Sequence, residues 1–335
     1  MKFGVAIPTC AEELVYKAPF TTTQGLIQLS QEAEELGYDS VWANDHMTTQ
    51  RYVKRLSLTP PNFFEPLISL SMIASATKKI RLATGVMVLP QRNPVVLAKQ
   101  VSTLDVFSNG RVILGVGLGA YREEFEAVNP TLKDQNRGPI VDECIYALRV
   151  LFSQRSASFN GRFIRFKDIE MYPKPIQSRL PIYIGGNSSQ GIKRAAELGD
   201  GWFPAVLSPL EMADKMNTLK EYIRRAGRSM SEIEVAPQFM VSLSKDREEA
   251  LRVFRKSRVY EHLESLRTST LRGQVSGTLE ERNLVGTPSD IIKKMEEYVE
   301  LGVTYFAALV FMGGSQEDLM KNMTLFAKEV IPSFK

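Results

Sequence analysis

Short β-rich runs alternate with longer amphipathic stretches along this whole chain, and that rhythm limits its fold more than any other feature. Strand character falls at residues 3–8, 40–43, 80–88, 111–116, 181–184, 201–204, 233–241 and 304–311. Helical periodicity falls at 23–36, 65–77, 94–107, 139–152, 189–198, 209–226, 289–301 and 317–330. Eight strands, each followed in turn by a helix, is the count that a closed parallel barrel requires, so the reading is α/β, a (β/α)8 TIM barrel with loop insertions. An open doubly wound sheet would usually stop at roughly five to seven strands and carry a glycine fingerprint after its first strand. The first strand here ends in Ile7-Pro8-Thr9-Cys10, without glycine.

The chain has 335 residues, against about 250 for a typical barrel, which leaves room for insertions within a single domain spanning 1–335. Two segments break the rhythm. At 156–175, Phe159, Phe163, Phe166 and Ile169 surround Asn160-Gly161, the pattern of an inserted hairpin. The polar stretch 246–285 reads as helical at first and as mobile over 273–277.

Bulk chemistry narrows the partners. The net charge is +4, and bases are followed by acids, as in Lys245-Asp246-Arg247-Glu248-Glu249. That is a solvated helix face and not a nucleic-acid footprint. Cys10 and Cys144 are the only cysteines, and no His-x-x-x-His pair occurs, so neither a disulfide framework nor a metal site is expected. The apolar run 1–8 is too short for a signal peptide, and no stretch approaches the roughly 18 apolar residues of a membrane helix. The expected location is the cytoplasm.

In a parallel barrel, functional residues stand just after each strand, on one face. Asn44-Asp45-His46 follows the second strand, and His46 is one of two histidines, with His262 in the long insertion. Histidine titrates near neutrality, so His46 is the candidate proton carrier, while His262 reads as structural. Gly85-Val86 interrupts the third strand, where a glycine marks a bulge or a close approach. Glycines at 115, 117 and 119 end the fourth, exposing backbone and leaving space for a flat ring. After the fifth, Gly185-Gly186-Asn187-Ser188-Ser189 runs into a helix, whose free N–H groups and hydroxyls make an anion cradle. Glu123 and Glu124, at a helix start, read as dipole-compensating. Phe63, Phe64, Trp202, Phe239 and Phe311 are expected to border the mouth.

Taken together, LGYDSVWANDH (36–46), IRLATGVMVLPQRNPVVLAKQVSTLDVFSNGRVILGVGLG (80–119) and PIYIGGNSSQGIKRAAELGDGWFP (181–204) resemble the bacterial luciferase-like superfamily. Its members use reduced FMN or the deazaflavin coenzyme F420. The resemblance implies a ring held at the barrel mouth, with Asp45 and His46 beside it and His46 in the catalytic role. It implies a cis peptide at Gly85-Val86, backbone contacts from Leu118-Gly119, and a phosphate grip from Gly185, Gly186, Asn187 and Ser188. Asn-Asp-His-Met after the second strand leans toward the F420 branch. Sugar-phosphate dehydrogenases of this group carry a glutamate where this chain has Ala120, so the resemblance does not extend to that substrate.

The expected function is therefore F420-dependent hydride transfer to or from a small organic substrate. FMNH2-dependent monooxygenation, supplied by a separate flavin reductase, is the alternative, and a non-catalytic flavin-binding protein is a third. The resemblance also implies a homodimer built through barrel helices.

Overall fold

The computed structural model describes residues 1–57, 59–274 and 277–335. The chain opens with β1 (Lys2–Ala6), α1 (Thr23–Glu35), β2 (Ser40–Ala43), α2 (Arg51–Leu56), α3 (Pro66–Ala76), β3 (Arg81–Thr84) and β4 (Met87–Val88). Next come α4 (Pro94–Phe107), β5 (Val112–Gly117), α5 (Arg122–Val128), α6 (Gly138–Ser153), β6 (Ala157–Asn160) and β7 (Arg165–Ile169). β8 (Ile182–Gly185), α7 (Ser189–Leu198), β9 (Gly201–Phe203), α8 (Pro209–Arg225), β10 (Glu234–Val235) and β11 (Gln238–Leu243) continue the barrel. α9 (Arg247–Arg255), α10 (Val259–Ser265), β12 (Leu284–Gly286), α11 (Pro288–Glu300), β13 (Tyr305–Phe311) and α12 (Gln316–Glu329) complete it.

Helix starts follow from side-chain oxygens that take up the free N–H groups of the first turn. Thr22, Asn93, Ser188, Ser208 and Thr287 do this for α1, α4, α7, α8 and α11, and proline occupies the first turn of α4, α8 and α11.

Strand neighbours run β10-β9-β8-β5-β3-β2-β1-β13-β11-β12, and every pairing in this sheet is parallel. Two of the eight barrel strands are broken. The third divides into β3 and β4 at Gly85-Val86, whose peptide is cis, and β4 pairs onward with β5. The seventh divides at Ala236-Pro237, because proline offers no N–H to a ladder. There the sheet closes: β10 lies on β9 and β11 on β13. Thr304 N–H donates to the Val235 carbonyl and Ala307 N–H to that of Pro237, both at 3.1 Å.

Three apolar layers result. Trp42, Tyr183, Phe203 and Tyr305 fill the barrel among alanines 83, 236, 307 and 308. The rings of Trp42 and Phe203 stack at 4.8 Å and 7°. A larger layer lies between sheet and helices and takes in Trp202, Phe239 and Phe311. These three are fully buried and do not border the mouth, a correction to the sequence reading: their side chains point outward from the strands, under the helices. A third cluster belongs to the long insertion, with Phe254, Val259, Leu263, Leu271 and Leu279 packed on Val206, Met240, Val310 and Met312.

The first insertion is the expected hairpin, with β6 and β7 antiparallel. The second holds α9 and α10 and returns through β12, a strand not foreseen, which pairs with β11. The mobility expected at 273–277 falls in part on 275 and 276, which lie outside the described residues. Among the described residues, no helix is long and apolar enough to cross a membrane.

Candidate active site

The three residues after β2 lie at the C-terminal rim and point to different partners. Asn44 clasps the first loop: its Oδ1 accepts from Thr9 Oγ1 at 2.9 Å and Cys10 N–H at 3.1 Å, and its Nδ2 donates to the Cys10 carbonyl. Burial pushes the Cys10 thiol up to about 12, so it stays protonated and inert. Asp45 is buried, and both oxygens are engaged. Oδ2 accepts from Val88 N–H at 3.0 Å and Oδ1 from Arg92 Nη2 at 2.6 Å, while Arg92 Nη1 also reaches Glu65 Oε1 at 2.9 Å. Its carboxylate thus fixes β4 and the turn after it, holding the rim from beneath.

His46 faces the other way. Its Nδ1 lies 2.7 Å from Glu124 Oε1, and Gln50 Nε2 donates to the same oxygen at 2.7 Å. The His46 side chain is 16% exposed and that of Glu124 1%, so the pair joins a rim nitrogen to a buried acid. A carboxylate only accepts, which places the ring proton on Nδ1 and leaves Nε2 as the lone-pair nitrogen of the neutral ring. Phe63 and Tyr121 flank the imidazole at 5.8 and 5.9 Å between ring centroids. Such a dyad can take up and return a proton at Nε2.

Glu124, read from the sequence as a helix-start acid, is the carboxylate that the fold brings to His46. It does lie in the first turn of α5. The signal available was its burial-prone place before Phe125, one helical turn beyond Ala120, but only the fold brings that turn to His46.

Beside the dyad, Val86 side-chain methyls fill a slot between β5 and β8. A Cβ on Gly117 would come within 2.6 Å of Val86, one on Gly185 within 2.8 Å, and one on Gly115 within 2.0 Å of the Thr84 carbonyl. The bare faces of these three glycines therefore first accommodate the bulged third strand, not a ring as the alternating pattern suggested. Gly119 differs, with φ +81°. With Leu118 it is half-buried at the end of β5, next to Val88 and Phe125.

Across the rim, Gly186 has φ +133° and open space on its side-chain face. Asn187 is tied down: its Nδ2 donates to the Ala205 carbonyl at 2.8 Å and to that of Thr270 at 3.4 Å, and its Oδ1 accepts from Ala205 N–H. Ser188 Oγ caps Gly191 N–H at 3.1 Å. The Ser189 and Gln190 N–H groups find no acceptor among the described residues. Two further side chains have buried polar atoms without partners. Arg137, at the start of α6, lies with its guanidinium 4.0 Å from the Phe125 ring centroid, and its buried Nη1 makes no hydrogen bond. Both amide atoms of Gln91 are likewise buried and unbonded. Polar atoms in that state call for a partner. The free amides at the start of α7, beside the open face of Gly186, suit a phosphate, so the residues fit a phosphate-bearing ring cofactor at the mouth.

The long insertion reaches the same rim. His262 Nδ1 lies 2.9 Å from Tyr52 Oη and 3.3 Å from Tyr121 Oη. Burial, with a smaller contribution from charge on His46, pushes His262 down to about 3. Ion pairs anchor the segment: Arg258 to Glu13 at 3.1 Å, and Arg282 to both oxygens of Glu211 at 2.7 and 2.8 Å.

With this geometry in place, likeness to known proteins becomes informative. A sequence model described as luciferase-like monooxygenase matches residues 1–305. The F420-dependent glucose-6-phosphate dehydrogenase of Kineococcus radiotolerans is 26% identical, covering 92% of this chain and 92% of its own. The 5,10-methylenetetrahydromethanopterin reductase of Archaeoglobus fulgidus is 24% identical over the full length of both. Among solved structures, the monooxygenase RslO1 from Streptomyces bottropensis shares the fold, with a TM-score of 0.79 at 22% identity over the whole of both chains.

Proposed function

This chain belongs to the luciferase-like monooxygenase family and is an oxidoreductase, and on that premise we propose that it catalyses F420-dependent hydride transfer to or from a small organic substrate. The observation that carries the reading is the His46–Glu124 pair, a proton-transfer nitrogen at the rim oriented by a buried carboxylate. When bound, the deazaflavin supplies the hydride donor or acceptor. His46 Nε2 takes the proton from a substrate hydroxyl in oxidation and returns it to the nascent oxygen in reduction. Glu124 keeps the ring in the required tautomer and stabilises the imidazolium, while Gln50 holds the carboxylate. Ser189 and Gln190 N–H groups hold the phosphate end, and Asp45 secures the β4 turn.

FMNH2-dependent monooxygenation, fed by a separate reductase, is the second reading. It is favoured by the insertion, whose α10 lies against Tyr52 and Tyr121 beside His46 and would exclude water there. Fluorescence titration with F420, FMN and FMNH2 separates the two. Tight F420 binding with neither flavin bound is expected; FMNH2 binding without F420 overturns hydride transfer, and binding without turnover leaves a cofactor carrier. His46→Ala is expected to lower turnover about 100-fold, and Glu124→Gln at least about tenfold, with F420 affinity nearly intact in both. Unchanged turnover removes the dyad from the mechanism.

A further inference from the structure

The barrel interior is not filled in the usual way. Branched aliphatic side chains are the rule there, whereas this chain places three oxidisable rings, Trp42, Tyr183 and Tyr305, with Phe203 and small residues between them. The backbone is cleared to hold them. A Cβ on Gly4 would come within 2.5 Å of Trp42 Nε1, one on Gly201 within 2.8 Å of the Tyr183 ring, and one on Gly85 within 3.1 Å of Trp42 Cε3. The Trp42–Phe203 stack therefore sits directly behind the Gly85-Val86 bulge at the mouth. From Trp42 the ring centroids of Tyr183 and Tyr305 are each 6.0 Å away, toward the floor made by the first residues of the strands.

Each ring also carries a bonded polar atom, costly to bury unless paired. Trp42 Nε1 donates to Ser40 Oγ, Tyr305 Oη shares a hydrogen bond with that same oxygen, and Tyr183 Oη donates to a Glu234 carboxylate oxygen. Glu234 pairs with Lys2, and both reach solvent, their side chains 29% and 45% exposed. Charge separates the two tyrosines. Lys2 Nζ stands 5.9 Å from the Tyr305 ring centroid and disfavours loss of an electron there, while the carboxylate bonded to Tyr183 favours it.

We propose that Trp42 and Tyr183 form a one-electron path that carries oxidising equivalents from the mouth to the barrel floor, sparing His46 and the rim. The oxidant is the photoexcited state of a flavin-type ring at the mouth. It gains one electron from Trp42. Tyr183 then returns one electron to Trp42 and passes its phenol proton to Glu234, leaving a neutral tyrosyl radical. A thiolate in solvent supplies one electron at the floor, Glu234 returns the proton, and the thiyl radical leaves. Mouth chemistry and this path share no side chain, so the path stands whichever ring cofactor binds.

A covalently attached oxidant tests it without any cofactor. Met47, next to His46, is 39% exposed, whereas Cys10 and Cys144 are buried, so Met47→Cys directs a ruthenium polypyridyl photo-oxidant to the rim. Flash–quench oxidation of the labelled full-length protein is followed by transient absorption and by electron paramagnetic resonance of frozen samples. A tyrosyl radical is expected, erased by added glutathione. Trp42→Phe is expected to slow its formation at least about tenfold. Tyr183→Phe is expected to abolish it and leave a tryptophan radical in its place. Trp202→Phe, which removes the chain's other tryptophan, is expected to change nothing. An unchanged tyrosyl signal in Trp42→Phe or in Tyr183→Phe, or no protein radical at all, overturns the path. Should Trp42→Phe fail to fold, Tyr183→Phe alone decides, since a retained tyrosyl signal there removes Tyr183 from the path.

Discussion

Asn44, Asp45 and His46 leave β2 in three directions, and each stands or falls by a different partner. Asp45 is the one whose loss the fold would register most. Its removal leaves the Arg92 guanidinium with Glu65 alone and the buried Val88 N–H without an acceptor. Asp45→Ala is therefore expected to destabilise the protein by about 3 kcal/mol, measured by urea unfolding, because breaking a buried pair strands the other charge. A loss below about 1 kcal/mol would show that the rim holds without this carboxylate. The tripeptide was legible in the sequence as a rim feature, since its position after a strand follows from the barrel. The division of labour within it was not, because Arg92 and Glu124 lie 47 and 78 residues further along. Glu124 also satisfied a purely local explanation as a helix-start acid.

At the scale of elements, the long insertion carries a prediction about acid. His262 falls from an ordinary value of 6.5 to about 3 in the folded chain, through burial first and His46 second. Between those values the unfolded chain binds a proton that the folded one refuses, so stability falls as pH drops from about 6.5 toward 3 and is unaffected by this group above 6.5. The slope is at most about 1.4 kcal/mol per pH unit. Calorimetry of wild type and His262→Gln at pH 7 and pH 4.5 should show a smaller loss of melting temperature in the variant; equal losses would mean that His262 protonates freely. Element positions were readable where apolar periodicity was long, as in α4 and α7. α2 and β12 were missed for a common reason: Arg51–Leu56 has three charged residues in six, and Leu284–Gly286 is three residues long, too short to show any period. The break at Pro237 was hidden inside a run that read as one continuous strand, whereas the glycine at 85 marked the break in the third.

For the molecule as a whole, the outer surface is not uniform. α3, of sequence PLISLSMIASA, has no charged residue, and α4 packs beside it. Ile68, Val96 and Phe107 on these two helices are 70%, 55% and 73% exposed. The outward positions of α3 are Ile68, Ser71 and Ser75, uncharged throughout, and we propose that a second copy of the chain covers this face. Light scattering is expected to give two chains per particle for wild type and one for the Ile68→Glu, Phe107→Glu double variant. A monomeric wild type would leave the face unexplained by self-association.

The insertion's private core has a consequence for how such a molecule changes through time. Phe254, Leu263 and their neighbours pack mainly on one another and on one edge of the barrel mouth. His262 and Ser265 are displayed from that unit, while His46 and Glu124 are displayed from the barrel. Inheritance can therefore revise the two separately. Substitutions confined to this segment change what borders the rim there while leaving the His46–Glu124 pair in place.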